Sequence, residues 1–179
     1  MAKHNYTFDH PSDIGLAARA DSLGELMEAL AEGLAGEICA PDQVAAAENR
    51  TLEVSVEAEE TATAAPDYEA LAVDFLTAVM NLIQVRHFMV REVAVQIPTA
   101  AHPTPAVATE TQPRAAVPQQ QENSKPQPRA AVPLVAKLTG EAYDPSRHEI
   151  KVEIKAVTYH QLTIKQEGGQ WVGRVILDI

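Results

Sequence analysis

The nine residues WVGRVILDI, 171–179, constrain the fold more than any other stretch of the chain. Val175, Ile176 and Leu177 give a strand that is apolar on both faces for much of its length, and such a strand belongs at the centre of a sheet. Its tip has the opposite character. Asp178 sits beside Ile179, which adds the α-carboxylate, so two negative groups stand at the end of a buried strand. Termini are ordinarily polar and frayed unless something ties them down. This one needs water, a cation or a partner.

The rest of the chain supplies neighbours for that strand. Leu52, Val54 and Val56 alternate with Glu53, Ser55 and Glu57, and Val93, Val95 and Ile97 repeat the pattern. Leu134, Ala136 and Leu138 do the same, as do Ile150, Val152 and Ile154, followed by Leu162 and Ile164. Each reads as a strand with one wet and one buried face. Gly168 and Gly169, between Ile164 and Trp171, mark a hairpin turn. Near the start, NYTFD and IGLAARA form two further strands joined by a turn.

Two segments have helical period instead. In SLGELMEALAEGLAGEIC the apolar set Leu23, Leu26, Met27, Leu30, Leu34 and Ile38 makes one stripe. Ser22 and Glu25 form a capping box, each side chain satisfying a free backbone donor at the other residue. Gly24, Gly33 and Gly36 each cost about 1 kcal/mol relative to alanine, so packing has to hold this helix. The second helix is expected from Asp67 to Arg86, opened by Pro66 and Asp67, with Leu71, Phe75, Leu76, Val79, Met80 and Ile83 inward. The expected fold is α+β: a mixed, largely antiparallel sheet packed against two helices, in a single domain over residues 1–179.

Residues 98–133 interrupt this pattern. They hold eight of the twelve prolines with Gln, Ala and Thr, and QPRAAVP occurs at 112–118 and again at 127–133. A short exact repeat in biased sequence reads as local duplication of a disordered linker inserted between two strands.

The formal charge of −11 argues against a basic patch gripping nucleic acid, and favours a basic protein partner or a hard cation. The lone Cys39 excludes an internal disulfide and reads as a small core residue in a reducing compartment. MAKHNYTFDH has no apolar run of signal-peptide type. The longest candidate helix carries Asp74, Asn81, Gln84 and Arg86, so no membrane span is expected. The expected setting is cytoplasmic.

Two more stretches could carry chemistry. FDHPSDIG, 8–15, sets Asp9 and Asp13 around His10, Pro11 and Ser12; these are also ordinary turn formers. EIKAVTYHQL, 153–162, places Lys155 before Tyr159 and His160. The lysine is either an edge-strand device or a cation beside an anionic site, with Tyr159 and His160 as donors.

FDHPSDIG, KAVTYH and the closing LDI, in that order, resemble the archease family. GEAYDPSRHEIKVEIKAVTYH at 140–160, with its DPSRH turn at Asp144–His148, resembles it too, as do SLGEL and the EALAVDFL run at 69–76. The resemblance covers nearly everything except residues 98–133. The common first motif reads D-H-T-A-D, then Ile or Val, then Gly; here Pro11 and Ser12 replace Thr and Ala.

The resemblance implies an α+β fold and a non-catalytic role: activating an RtcB-type RNA ligase by promoting its guanylylation and multiple turnover. That ligase joins 3′-phosphate or 2′,3′-cyclic phosphate ends to 5′-hydroxyl ends in tRNA splicing or RNA repair, using GTP and manganese. RNA would then be met only indirectly. The same resemblance makes Asp13 and Asp178 metal ligands, with Ile179 adding an oxygen, and Lys155 a residue needed for activity. Asp9, His10, Tyr159 and His160 are the remaining partner-facing candidates. An all-oxygen set selects a hard divalent cation, calcium first, with manganese or magnesium as alternatives. Two other readings stand beside it. One is a chaperone-like modulator of another RNA-modifying enzyme with structural calcium. The weakest is a metal-dependent hydrolase, for which no set of nucleophile, base and oxyanion donors occurs at recognisable spacing.

Overall fold

The computed structural model describes residues 3–10, 13–57, 66–98 and 131–179, with the backbone alone at 9–10, 57 and 131–132. The Pro11–Ser12 turn and residues 99–130 of the expected insertion lie outside the described residues. In chain order the elements are β1 (His4–His10), β2 (Asp13–Ala20), α1 (Leu23–Ile38), β3 (Glu48–Glu57), α2 (Tyr68–Gln84), β4 (Phe88–Gln96), β5 (Ala131–Ala142), β6 (Ala156–Glu167) and β7 (Gln170–Asp178). The class is α+β.

The strands divide into two sheets, ordered β1-β2-β7-β6 and β3-β5-β4. Every described strand pair is antiparallel. β7 lies between β2 and β6, the interior position that its apolar composition demands. Gly168 and Gly169 both have positive φ, 59° and 84°, the backbone that a two-residue type I′ hairpin needs between Glu167 and Gln170.

Helix side chains meet one edge of each sheet. Glu28 and Glu32 of α1 accept hydrogen bonds from the Val95 and Val93 backbone N–H groups of β4, at 2.8 and 3.2 Å. Glu69 of α2 accepts from Ile164 N in β6. Helix carboxylates thus take up backbone N–H groups at one edge of each sheet, where a further strand would otherwise pair. Lys3 bridges Glu28 and Glu32 at 3.0 and 2.8 Å.

The apolar stripes of α1 and α2 meet between the sheets. Leu26, Leu30, Leu34, Phe75, Leu76, Leu134, Leu138 and Val175 are all fully buried in one core cluster, and Cys39 is a buried member of it. The predicted Ser22–Glu25 capping box is present in both directions. Gly33 has a packing reason: a Cβ there would lie 2.6 Å from Leu16 Cδ1, so its absence lets α1 approach β2.

Two expectations change. β5 takes in Ala131–Pro133, the end of the second QPRAAVP copy. Pro133 is tolerated because it faces Ser55 of β3 at a point where β4 has not begun to pair, so no second ladder bond is lost. Residues 151–155 belong to no strand, and Ile150 makes only an isolated bridge to Cys39. The Gln84 side-chain amide donates to Ile154 O at 2.7 Å and accepts from Ile154 N at 2.9 Å, standing in for a strand partner. Alternation reports a buried face, not who satisfies the backbone. Among the described residues, no helix is long and apolar enough to cross a membrane.

Candidate functional site

One register row crosses the end of the four-stranded sheet: His10 pairs with Asp13, Asp13 with Asp178, and Asp178 with Ala156. The hydrophobic pattern sets this register, because Leu16 faces Val175 and Ile14 faces Leu177 on the core side. A slip of one residue would send Leu16 outward, so the register that buries the core also sets Asp13 opposite Asp178. Directly opposed residues have Cβ atoms about 4.5–5.5 Å apart on the same face, and opposed like charges destabilise a sheet. Both aspartates are half-buried.

The neighbouring lysine holds the strand tip. Lys155 N donates to Asp178 O at 2.8 Å, and Lys155 Nζ donates to the main-chain oxygen of Ile179 at 2.9 Å. Asp13, Asp178, Ile179 and Lys155, drawn from both ends of the sequence, therefore meet at one place. The donors present are two carboxylates and a main-chain oxygen, a chemistry that fits a hard cation and not zinc. They would fill only part of a shell of about six to eight oxygens. Among the described residues, no group of three or more His, Cys, Asp and Glu side chains is placed to hold a metal ion.

The other candidates are distributed differently. Asp9 and His10 lie on the last two positions of β1, and their side chains are outside the described set. Tyr159 and His160 sit on an irregularity of β6, where pairing with β7 jumps from Thr158 to Thr163. Gln161 within it has φ 52°, the left-handed region that costs a residue with a Cβ. Tyr159 is 62% exposed. Its hydroxyl pKa is raised by partial burial and then by the Asp74 and Asp67 carboxylates, which places it toward α2 and not among the opposed aspartates.

A second polar cluster, given no role by sequence reasoning, ties down the DPSRH turn. Glu141 Oε1 accepts from Ala45 N at 2.6 Å and lies 3.1 Å from His148 Nε2, while Arg147 Nη2 reaches Glu141 Oε2 at 2.5 Å. Asp144 N donates to His148 Nδ1, so His148 is the tautomer with its proton on Nε2, pointed at Glu141. The Arg147 hydrogen bond, then that of Ala45, holds the Glu141 carboxyl down to about 2. Hydrogen bonds from the Ser146 hydroxyl and backbone, then Arg147, hold Asp144 at about 2. His148 is 2% exposed and Glu141 9%. The available signal was an acidic residue closing an apolar strand, with arginine and histidine in the following turn.

The archease protein family model matches residues 6–179, a span that includes both opposed aspartates and the lysine. The chain belongs to the archease family. It is 30% identical to the archease of Pyrococcus abyssi over 173 residues, covering 96% of each chain. It is 28% identical to that of Thermococcus kodakarensis over 173 residues, with the same coverage. The fold matches the solution structure of Methanobacterium thermoautotrophicum protein 1598 with a TM-score of 0.66 at 22% identity, covering 98% of both chains. It also matches a Thermotoga maritima archease, described as a possible chaperone, with a TM-score of 0.50 at 17% identity over 96% of this chain and 94% of that one.

Proposed function

We propose that this archease-family chain is a non-catalytic, metal-binding activator of an RtcB-type RNA ligase, promoting its guanylylation and repeated turnover in tRNA splicing or RNA repair. The observation that carries the reading is the direct opposition of Asp13 and Asp178 at a strand tip. A sheet position occupied by two carboxylates breaks a rule that stability alone would enforce, and such breaks concentrate at functional sites. A divalent cation, calcium first and manganese or magnesium next, relieves the repulsion. The ligands from this chain are the two carboxylates and the Ile179 oxygen, and water or ligase groups complete the shell. Lys155 keeps the strand tip in place for that encounter. Asp9, His10, Tyr159 and His160 belong to the partner-facing surface in this reading.

The test adds purified protein to the ligase with RNA in large excess and follows joined product. Wild type raises the number of turnovers; folded Asp13→Ala and Asp178→Ala proteins do not. Stimulation equal to wild type by either variant overturns the reading. The description of the Thermotoga relative as a possible chaperone favours one alternative, a chaperone-like modulator of a different RNA-modifying enzyme. A stable complex with such an enzyme, together with no effect on the ligase, would select it.

A further inference from the structure

The face of the four-stranded sheet turned away from the helices has a composition that neither the fold nor the acidic tip requires. Its rows follow from the register. His4, Arg19, Val172 and Lys165 form one row; Tyr6, Ala17, Arg174 and Thr163 form the next. The third is Phe8, Gly15, Ile176 and Thr158, and the row after it holds Asp13 and Asp178. Both helices lie on the opposite face: Leu26 and Leu30 of α1 meet Gly173, and Tyr68 of α2 stacks edge-on against Trp171 at 5.2 Å. These helix contacts are all on that opposite face, while on the outer face Ala17 and Ile176 are buried and Arg19, Arg174, His4 and Tyr6 are exposed.

Three rings run down β1 on this face. His4 and Tyr6 are exposed, with centroids 6.2 Å apart, and Tyr6 is 49% exposed. The Phe8 ring lies across β2, where a Cβ on Gly15 would sit 2.1 Å from it; only glycine leaves room. The Arg174 guanidinium covers that ring at 4.1 Å from its centroid and leaves its own planar outer side as a further stacking surface.

Charge is divided along the same face. Arg19, Lys165 and Arg174 are exposed among the rings, against Glu167, which pairs with Lys165 at 2.6 Å. Arg174 stands four residues along β7 from Asp178, about 13 Å at strand rise. That exceeds the Debye length of about 8 Å at physiological ionic strength, so the local cations and not the net charge of the chain set the potential there.

We infer that this outer face binds unpaired, single-stranded RNA. Bases stack on Tyr6, His4 and the Arg174 plane, and Arg19 and Arg174 contact phosphates. Exposed aromatics on a sheet, interleaved with arginine, are the physical requirements for holding unstacked bases. Side chains on one face of a strand recur about every 7 Å, a step that an extended nucleotide chain can follow. The inference goes beyond the activator reading, which needs no RNA contact by this chain.

The test uses no ligase, so its failure and that of the activator reading are separable. A short fluorescein-labelled single-stranded RNA of mixed sequence is titrated with the full chain at low ionic strength, and anisotropy is followed. Saturable binding is expected, with the matching duplex bound less well. Tyr6→Ala should weaken binding about tenfold, Tyr6→Phe should retain it, and Arg174→Gln should weaken it and reduce its salt dependence. Lys137→Gln, on the other sheet, should have no effect. Absence of binding, or binding indifferent to both Tyr6→Ala and Arg174→Gln in folded proteins, overturns the inference.

Discussion

Two polar clusters close strand ends in this molecule, and they are built on opposite principles. Around Glu141, each carboxylate oxygen meets donors from Ala45, Arg147 and His148, and the histidine's other nitrogen is satisfied by Asp144. Around Asp178, a carboxylate is set opposite a second carboxylate, and the nearby lysine spends its ammonium on the main-chain oxygen of Ile179. A closed network that satisfies its buried members fixes a turn and has no capacity left for a ligand. Directly opposed like charges are destabilising in a sheet, and under the proposed function a divalent cation relieves that repulsion. Under the proposed function, the contrast separates a polar cluster that stabilises from one that acts.

The contrast predicts that activity and stability respond to different residues. The largest effect is on function: Asp178→Asn abolishes ligase stimulation in a turnover assay while metal-free stability stays level or rises by up to about 1 kcal/mol, since one of two opposed charges is gone. A marked loss of stability in that variant would break the comparison. Calcium sharpens it further. At about 100 times its dissociation constant it should stabilise wild type by about 2.7 kcal/mol in thermal unfolding, and leave Asp178→Asn nearly unchanged.

The Glu141 cluster should respond to acid. The folded pKa of Glu141 is about 2 against an ordinary 4.5, and that of Asp144 about 2 against 3.8. Both are depressed, so their contribution is complete above the unfolded values and is lost as pH falls from about 4.5 toward 2. The urea midpoint of wild type should drop through that window, and that of Glu141→Gln should start lower and change less, with ligase stimulation retained at neutral pH. The smallest expected effect is at Tyr159, which is largely exposed on its bulge. Tyr159→Ala should shift stability by no more than about 0.5 kcal/mol and show itself only as weaker capture of the ligase.

Much of the fold was legible because its signals are local. The Ser22–Glu25 box lies within one helical turn, the Gly168–Gly169 hairpin within two positions, and the stripes of α1 and α2 within single segments. The composition of β7 alone required an interior position, which the order β1-β2-β7-β6 provides. Of the candidate site, Asp178 and Ile179 stand out in the sequence as an acidic tip on an apolar strand, while Asp13 and Lys155 also read as ordinary turn and edge residues; resemblance to a family is what joins the four into one site. Glu141 was passed over because its partners come from Ala45 and from a turn whose residues are ordinary turn formers. The Ile150–Ile154 alternation was read as a strand because periodicity registers burial and is blind to a glutamine amide acting as the backbone's partner.

The sequence by itself determined which segments are helical or extended, which face of each is apolar, and that an acidic tip closes a buried strand. Tertiary structure decided that there are two sheets, and it set helix glutamates against one edge of each. It also decided that Asp13 meets Asp178, and that rings and arginines share one open face. Periodicity is a property of neighbours along the chain. The pairing of residues near opposite ends comes from burying Leu16 against Val175 and Ile14 against Leu177, and the aspartates are carried into opposition by that register.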